Sequence, residues 1–115
     1  MIVILNLFDL VAGQEARYAE YLRRVQPILE RHGATVLLYG LTRMIYKGNC
    51  TQEYCGMVAY PDISALRAFS HDRDFLAIRS LRDSSTANYV MSAIEGFETM
   101  DAAATYLEGL APEAS

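Results

Sequence analysis

The order in which the hydrophobic pattern changes along the chain is the feature that most constrains its fold. Apolar runs rich in β-branched residues predict four strands, at residues 2–9, 35–46, 54–60 and 87–94. Residues spaced as in a helix lie between the first two runs and between the last two. The middle two runs are joined by the turn residues 47–49, so they should form a hairpin. The predicted order is therefore β-α-β-β-α-β.

The predicted helices carry recognisable start and stop signals. The first should span residues 14–32, with Gly33 as its C-terminal stop and Pro27 producing a kink. Asp62 can cap the second helical region, which should break at residues 71–74 and then continue.

A further short helix is predicted after the last strand. It should be capped by Asp101 and end near Gly109, and residues 112–115 should form a frayed tail.

This element order is that of a ferredoxin-like α+β sandwich, in which one four-stranded antiparallel sheet carries both helical regions on the same face. A length of 115 residues fits one domain and leaves no room for a separate catalytic module. We therefore expect one domain at residues 1–97 and a helical extension with a tail at residues 98–115.

The second face of this sheet should also be buried. An antiparallel sheet with one wet face alternates apolar and polar residues, but Ile2–Leu7, Val36–Leu41 and Met57–Tyr60 are apolar at nearly every position. A second copy of the same sheet is the surface available to cover it. The sequence therefore predicts a two-fold homodimer formed by sheet-to-sheet packing.

Composition and motifs exclude several functional classes. A net charge of −4 argues against nucleic-acid binding. The N-terminal apolar run is too short to span a membrane and has no basic leader, so we expect a cytoplasmic protein. Cys50 and Cys55 have neither redox nor zinc spacing and are expected to be free thiols. With no nucleotide-binding glycine motif and no metal-ligand spacing in the sequence, we expect neither a cofactor nor a metal site.

Several short motifs resemble a known family in their order and spacing. They cover about residues 2–97 and are Arg17–Leu22, Pro27, His32–Gly33, Gly40, Gly48, Ala59–Asp62, Ala65–Phe69, Asp74–Phe75 and Leu81–Arg82. The chain resembles the domain-of-unknown-function family numbered thirteen-thirty, in the dimeric α/β-barrel superfamily. The resemblance implies no catalytic residues. Relatives in the superfamily include small-molecule monooxygenases, isomerases and decarboxylating enzymes, which commonly bind an organic ligand between sheet and helices.

Some positions depart from the family pattern. Ala34 stands where a second glycine is usual, Tyr39 replaces a basic residue, and Phe69 replaces a tryptophan. The stretch Asp72–Phe75 replaces a Ser-Pro-Glu-Tyr stretch. A pocket built on these positions would be shaped differently, so a shared ligand is not implied.

Arg82 is the strongest candidate for a catalytic residue. It follows apolar positions on the second helical region, with Arg79 one turn before it as a candidate ligand-binding residue. Two guanidinium groups could clamp a carboxylate, because each offers a planar fork of donors. The alternative is a structural ion pair with Asp83, with Asp74 or with a carboxylate of a partner chain.

His71 is the second candidate catalytic residue, since it lies in the break between helical segments and could transfer a proton. Asp72 or Asp74 could orient it, although adjacency in Ser70-His71-Asp72 is not triad geometry. The alternative is an exposed loop histidine. His32, at a helix end, is expected to interact with the last carbonyl groups of that helix.

Asn6, Tyr18 and Tyr39 are candidate ligand-binding residues. Asn6 lies within an apolar strand, so its amide marks either a hydrogen bond at the dimer interface or a polar point in a pocket. Tyr18 and Tyr39, together with Tyr21 and Tyr89, could line a pocket, or they could be ordinary core residues.

Two functions follow from these residues. The first is a homodimer that binds a small acidic or phenolic organic molecule between sheet and helices, as a cofactor-independent isomerase or monooxygenase if it is catalytic. The alternative is a non-catalytic homodimeric protein-interaction module. The first requires Arg82 and at least one of His71, Tyr39 or Asn6 to converge on a cavity.

Overall fold

The structure is a computed structural model that describes residues 1–112. It has the predicted α+β class and element order, with the second helical region divided into two helices. The elements are β1 (Ile2–Leu10), α1 (Glu15–Arg31), β2 (Thr35–Leu41), β3 (Tyr54–Tyr60), α2 (Ile63–Ser70), α3 (Arg73–Ser85), β4 (Thr86–Glu95) and α4 (Met100–Leu110). Most of the predicted frayed tail lies outside the described residues.

The four strands form one sheet in the order β2-β3-β1-β4, and all neighbours are antiparallel. Asn6 at the centre of β1 pairs with Gly56 of β3 and Met91 of β4. The pairing of β2 with β3 shifts register between Val36 and Leu38. A glycine inside a strand can mark a bulge or close packing, but this irregularity lies beside Leu37, and a Cβ added at Gly40 would meet nothing within 4 Å of the same chain.

Helix α1 packs on the sheet through residues with helical spacing, and Pro27 lies within it on the exposed side. The buried residues of α1 are Tyr18, Tyr21, Val25, Ile28 and Leu29. Gly33 follows the helix with a φ of 72°, a conformation that glycine adopts at little cost. The predicted stop signal is thereby confirmed.

The other helices begin at side-chain caps. The Asp62 carboxylate accepts a hydrogen bond from the Ala65 backbone N–H at 2.8 Å, which confirms the predicted cap of α2. Asp72 caps α3 in the same way, accepting from the Asp74 N–H at 2.8 Å. Helix α4 is capped by Thr99, whose hydroxyl accepts from the Ala102 N–H at 3.0 Å, so the prediction that Asp101 is the cap was wrong.

The hydrophobic core lies between the sheet and helices α1, α2 and α3. Phe8 is its centre, with an exposed fraction of 0%. Even-numbered residues of β1, such as Ile4 and Phe8, belong to this core, and odd-numbered residues such as Leu5 face the opposite side because side chains alternate along a strand. We call the face that carries the helices the inner face and the opposite one the outer face.

The outer face is apolar, as the lack of alternation predicted. Leu38, Val90 and Ile94 lie on it with exposed fractions of 47%, 43% and 40%. The inner face is apolar because it holds the core, so both faces of the sheet carry hydrophobic side chains. Among residues 1–112 there is no helix long and apolar enough to cross a membrane.

Candidate functional site

A cavity of about 430 Å³ lies between the inner face of the sheet and the helices. Five of the six predicted site residues line it: Asn6, Tyr18, Tyr39, Arg79 and Arg82. They come from β1, α1, β2 and α3, so the fold brings together residues that are up to 76 positions apart in the sequence. Val36 and Tyr39, which line the cavity from the edge strand β2, are exposed at 39% and 42%.

A glycine in the central part of the sheet makes room for the Tyr39 ring, which forms one wall of the cavity. Gly56 lies on the inner face between Asn6 and Tyr39. A Cβ at this position would lie 3.1 Å from Cδ2 and 3.4 Å from Cε2 of Tyr39. The absence of that atom lets the Tyr39 ring lie directly against the sheet.

Tyr39 and Tyr18 form a hydroxyl pair inside the cavity. The Tyr39 hydroxyl donates to the Tyr18 hydroxyl oxygen at 2.8 Å. Burial raises the pKa of Tyr18 well above its usual range and raises the pKa of Tyr39 to about 12. Both phenols are therefore neutral at physiological pH and keep their protons as hydrogen-bond donors.

Asn6 and Tyr89 form a second polar pair. The Tyr89 hydroxyl donates to Oδ1 of Asn6 at 2.8 Å, and Nδ2 of Asn6 donates to the carbonyl of Gly56 at 3.3 Å and to that of Ile4 at 3.4 Å. Of the two roles considered for Asn6, the structure places its amide in the pocket on the inner face. Its partners fix the side-chain orientation, so the Tyr89 hydroxyl is held in a defined position.

Arg82 brings a cation to this aromatic cavity. Its side chain is 16% exposed, and its guanidinium carbon lies 5.7 Å from the Phe75 ring centroid and 5.8 Å from that of Tyr89. Burial lowers the pKa of Arg82, but the nearby Tyr21 phenol and Asp83 carboxylate outweigh that effect and the net shift is upward. Arg82 is therefore a permanent cation with low exposure, which is the setting in which anion binding is strongest.

Arg82 also forms the ion pair that we considered as its structural role. Its Nε donates to Oδ1 of Asp83 at 3.1 Å. The Asp83 side chain is 59% exposed, and it does not line the main cavity. The ion pair uses one edge of the guanidinium, and a planar fork has further donors for a ligand. Arg79 lines the cavity too, but it is exposed.

His71 does not join this group. It is exposed at the junction of α2 and α3, its Nδ1 lies 2.8 Å from the carbonyl oxygen of Arg67, and it is not a cavity-lining residue. Ser70 does line the cavity, but its hydroxyl donates to the Leu66 carbonyl at 2.9 Å. Ser70, His71 and Asp72 form no catalytic triad in this structure.

The two aspartates expected to orient His71 have other partners. The carboxylate of Asp72 lies 2.6 Å from Nη2 of Arg31 and 2.7 Å from Nε2 of His32, and Asp74 lies 3.1 Å from Arg31. The His32 ring therefore interacts with a carboxylate, and only the backbone N–H of His32 reaches a carbonyl of the helix, so the prediction for the side chain was wrong. The Arg31 guanidinium and the His32 ring hold the pKa of Asp72 well below its usual range.

Gly56 and Tyr60 are among the cavity-lining residues that sequence reasoning did not identify. Tyr60 is only 3% exposed, and burial raises its pKa well above the usual range. The sequence holds a signal for each: a glycine inside an apolar strand indicates close approach of another group, and strand alternation places Tyr60 on the same face as Gly56. Among residues 1–112, no group of three His, Cys, Asp or Glu side chains could hold a metal ion. Both thiols are free, as predicted.

Solved structures with the same fold come from several organisms. A protein of unknown function from Rhodopseudomonas palustris superposes with a TM-score of 0.75 at 19% identity, covering 85% of this chain and 83% of its own. A dimeric ferredoxin-like protein of unknown function from Jannaschia has a TM-score of 0.71 at 16% identity, covering 83% of this chain and 98% of its own.

A third structure belongs to a protein with a described activity. SnoaB, a cofactor-independent oxygenase from Streptomyces nogalater, has a TM-score of 0.63 at 15% identity, covering 86% of this chain and 95% of its own. At these identities the superpositions show that the fold is ferredoxin-like. No curated protein matches the chain.

The family is shown by a match over most of the sequence. Residues 6–97 match the family described as Domain of unknown function (DUF1330), and this range includes all elements from β1 to β4 except the first residues of β1. The resemblance found in the sequence motifs is thereby confirmed, and the chain belongs to the DUF1330 family.

Proposed function

We propose that this protein binds a small organic molecule with an aromatic or apolar body and an acidic or phenolic oxygen. The observation that carries the proposal is the convergence of Arg82, Asn6, Tyr18 and Tyr39 on one cavity. A cavity of about 430 Å³ is within the range of small-molecule sites, which are mostly apolar with a few polar groups that fix orientation.

The chemistry of the lining supports an anionic or phenolic ligand. Arg82 supplies a permanent positive charge, and the neutral Tyr18 hydroxyl, which accepts from Tyr39, can donate its own proton without repelling a negative charge. The aromatic rings around them favour a planar body, because rings stack or meet edge to face. A neutral hydrocarbon would leave the buried guanidinium without a ligand partner.

The same proposal includes a homodimer formed through the outer faces of two sheets. Leu38, Val90 and Ile94 are exposed there in the single chain, and a contiguous apolar face of this kind marks an interaction surface. A relative of this fold from Jannaschia is described as dimeric. Packing two such faces together would bury the side chains that the single chain leaves in water.

If the protein is catalytic, we propose a cofactor-independent isomerisation or oxygenation of the bound molecule. SnoaB, which has the same fold, is described as a cofactor-independent oxygenase. In the isomerisation, a proton leaves one carbon of the ligand and returns to another, with the intervening negative charge on the ligand oxygen facing Arg82. The neutral tyrosine hydroxyls would stabilise that charge by donating hydrogen bonds, and solvent water would carry the proton. A proton-transfer role for His71 stays a prediction, and so does a cytoplasmic location.

The alternative, a non-catalytic homodimeric protein-interaction module, is favoured by one observation. Helix α4 has no buried residue, and Met100, Leu107 and Leu110 are exposed at 89%, 63% and 64%. Such a helix needs a partner surface. Binding of small anions at Arg82 distinguishes the two functions, since the module does not require it.

The first experiment is native mass spectrometry of the purified protein, followed by thermal-shift titration with 1-naphthoate, 1-naphthol and naphthalene. We expect a dimer. Its thermal unfolding midpoint should rise with naphthoate and naphthol, because ligand binding stabilises the folded protein by RT ln(1 + [L]/Kd) in free energy. The midpoint should rise much less with naphthalene. Arg82→Ala should abolish the effect of naphthoate. The matched control is Arg67→Ala, which removes an exposed arginine that does not line the cavity.

Two results would contradict the binding proposal. One is the absence of any stabilisation by the two oxygen-containing probes at millimolar concentration. The other is equal stabilisation of the wild type and Arg82→Ala by naphthoate, because the charge on Arg82 would then have no part in recognition. A monomer in the mass spectrum would contradict the proposed dimer.

A further inference from the structure

Two exposed surfaces lie at opposite ends of the molecule and complement each other in charge. The first is the C-terminal arm, which we define as residues 96–110. Its charged residues, Glu98, Asp101 and Glu108, are all acidic. Apolar side chains of the arm are also exposed, among them Met100 at 89% and Leu110 at 64%. The arm therefore presents an acidic and apolar surface.

The second surface is the β2–β3 loop, which comprises residues 42–53. Arg43 and Lys47 make its tip basic, and the three residues between them are exposed and apolar. Met44 is 67% exposed, Ile45 44% and Tyr46 92%. Among residues 1–112, none of Arg43, Lys47, Glu98 and Glu108 forms an ion pair.

The arm and the loop of one chain leave the sheet at opposite ends of β1. The arm leaves the sheet beside the start of β1, where the Gly96 N–H donates to the Met1 carbonyl at 2.9 Å. The loop ends beside the other end of β1, where the Glu53 N–H donates to the Asp9 carboxylate at 2.9 Å. The intervening strand separates the two sites by roughly 25 Å, at about 3.3 Å per residue.

The arm also has little support from its own chain. None of the residues of α4 is buried, and its aromatic contact is local, with the rings of Phe97 and Tyr106 5.2 Å apart. The molecule is 60 Å long but only 34 and 18 Å in its other dimensions, which is consistent with a projecting arm. An eleven-residue helix is too short to be stable in water without tertiary contacts.

We propose that the arm of each subunit docks on the β2–β3 loop of a second copy of the chain. This inference rests on the homodimer proposed above and adds its orientation. When two sheets pack face to face with their strands running in opposite directions, the start of one β1 lies over the end of the other. A two-fold axis then forms both arm-to-loop contacts at once, each with acidic residues against basic ones.

The test uses two full-length charge-reversal variants. The arm variant carries Glu98→Lys and Glu108→Lys, and the loop variant carries Arg43→Glu and Lys47→Glu. A matched control with Glu20→Lys and Glu30→Lys makes the same charge change as the arm variant on the exposed side of α1. Dimer dissociation is measured by analytical ultracentrifugation at low and high salt, with circular dichroism to verify that each variant is folded.

We expect both the arm and the loop variants to dimerise about tenfold more weakly than the wild type at low salt, since several exposed charge pairs become repulsive. The control should dimerise normally. A mixture of the arm variant and the loop variant should form a heterodimer with wild-type affinity, because each reversed arm then meets a reversed loop and each native arm a native loop. Contacts within one chain could not produce this recovery.

Each of the other outcomes overturns the inference. If the wild type is dimeric and both variants match the control, the arm does not dock on the loop, but the sheet-to-sheet homodimer stands. If the variants are weakened and mixing gives no recovery, the charges act elsewhere. If the wild type is monomeric, both the docking and the proposed homodimer are wrong, whereas the thermal-shift result with naphthoate still decides ligand binding separately.

Discussion

Substituting Gly56 by alanine tests the close contact that shapes the cavity. The new Cβ would lie 3.1 Å from Cδ2 of Tyr39, closer than ordinary van der Waals contact, and 3.4 Å from Cε2 of the same ring. Tyr39 is 42% exposed on an edge strand, so its ring has room to move outward. That movement stretches the 2.8 Å hydrogen bond to the Tyr18 hydroxyl.

The size of the effect follows from two opposing contributions. Replacing glycine by alanine restricts the unfolded chain and stabilises the protein by about 0.4–1 kcal/mol where the native backbone permits it. Losing the Tyr39–Tyr18 hydrogen bond removes about 0.5–1.5 kcal/mol. Gly40→Ala is the matched control, because its Cβ meets nothing within 4 Å. We expect Gly56→Ala to be about 1 kcal/mol less stable than Gly40→Ala.

Thermal or urea unfolding of the two variants at one protein concentration measures this difference. A difference of 1 kcal/mol corresponds to roughly 4–8 °C in Tm for a domain near this size. A third variant, Tyr39→Ala, provides the decisive comparison. In that background Gly56→Ala should stabilise the protein as Gly40→Ala does, because the contact is gone. If the penalty of Gly56→Ala persists without the Tyr39 ring, our account of the contact is refuted.

Three further predictions concern the core and the titrating groups. Phe8→Ala should lower the free energy of unfolding by about 3–5 kcal/mol, measured in urea, because Phe8 is fully buried among aromatic rings. Burial raises the pKa of Tyr39 from 10.0 to about 12, so the stability that comes from keeping this phenol neutral should be complete below pH 10 and lost as the pH rises towards 12. Tm is measured against pH for the wild type and for Tyr39→Phe. Because the pKa of Asp72 is lowered in the folded protein, its carboxylate stabilises the protein above about pH 3.8, the ordinary carboxyl pKa, and this stability is lost as the pH falls below it. Asp72→Asn should therefore reduce the slope of Tm against pH in acid.

Each of these predictions has an outcome that would contradict it. A Phe8→Leu variant should lose less stability than Phe8→Ala, and equal losses would show that cavity size is not the cause. If Tyr39→Phe keeps the same alkaline loss as the wild type, other groups are responsible for it. Asp74→Asn is the control for Asp72, and an equal change in acid slope for both would remove the assignment to the Arg31–His32–Asp72 contacts.

The strands and helices could be predicted because each has a local signal. Gly33 ended α1 and Asp62 capped α2, as expected, since a cap depends on a residue and its immediate neighbours. One error occurred where two local signals compete. Asp101 and Thr99 are both residues that can cap a helix, and Thr99 is the cap of α4.

The cavity residues were predictable only in part. Arg82, Asn6, Tyr18 and Tyr39 were identified because polar or amphipathic groups among apolar residues need partners. Gly56 and Tyr60 were missed, because their contribution depends on which side chain lies opposite in the neighbouring strand. His71 was predicted but does not line the cavity. Its position in a helix break gave no information on the direction in which its side chain points.

The sequence by itself determined the α+β class, the element order and the apolar character of both sheet faces, because hydrophobic periodicity reports directly on local geometry and burial. Only the tertiary structure decided which residues share the cavity, that Asp72 binds Arg31 and His32, and that the arm and the loop lie at opposite ends. These relations depend on strand register and helix packing, which join residues distant in sequence. No local pattern encodes such distances.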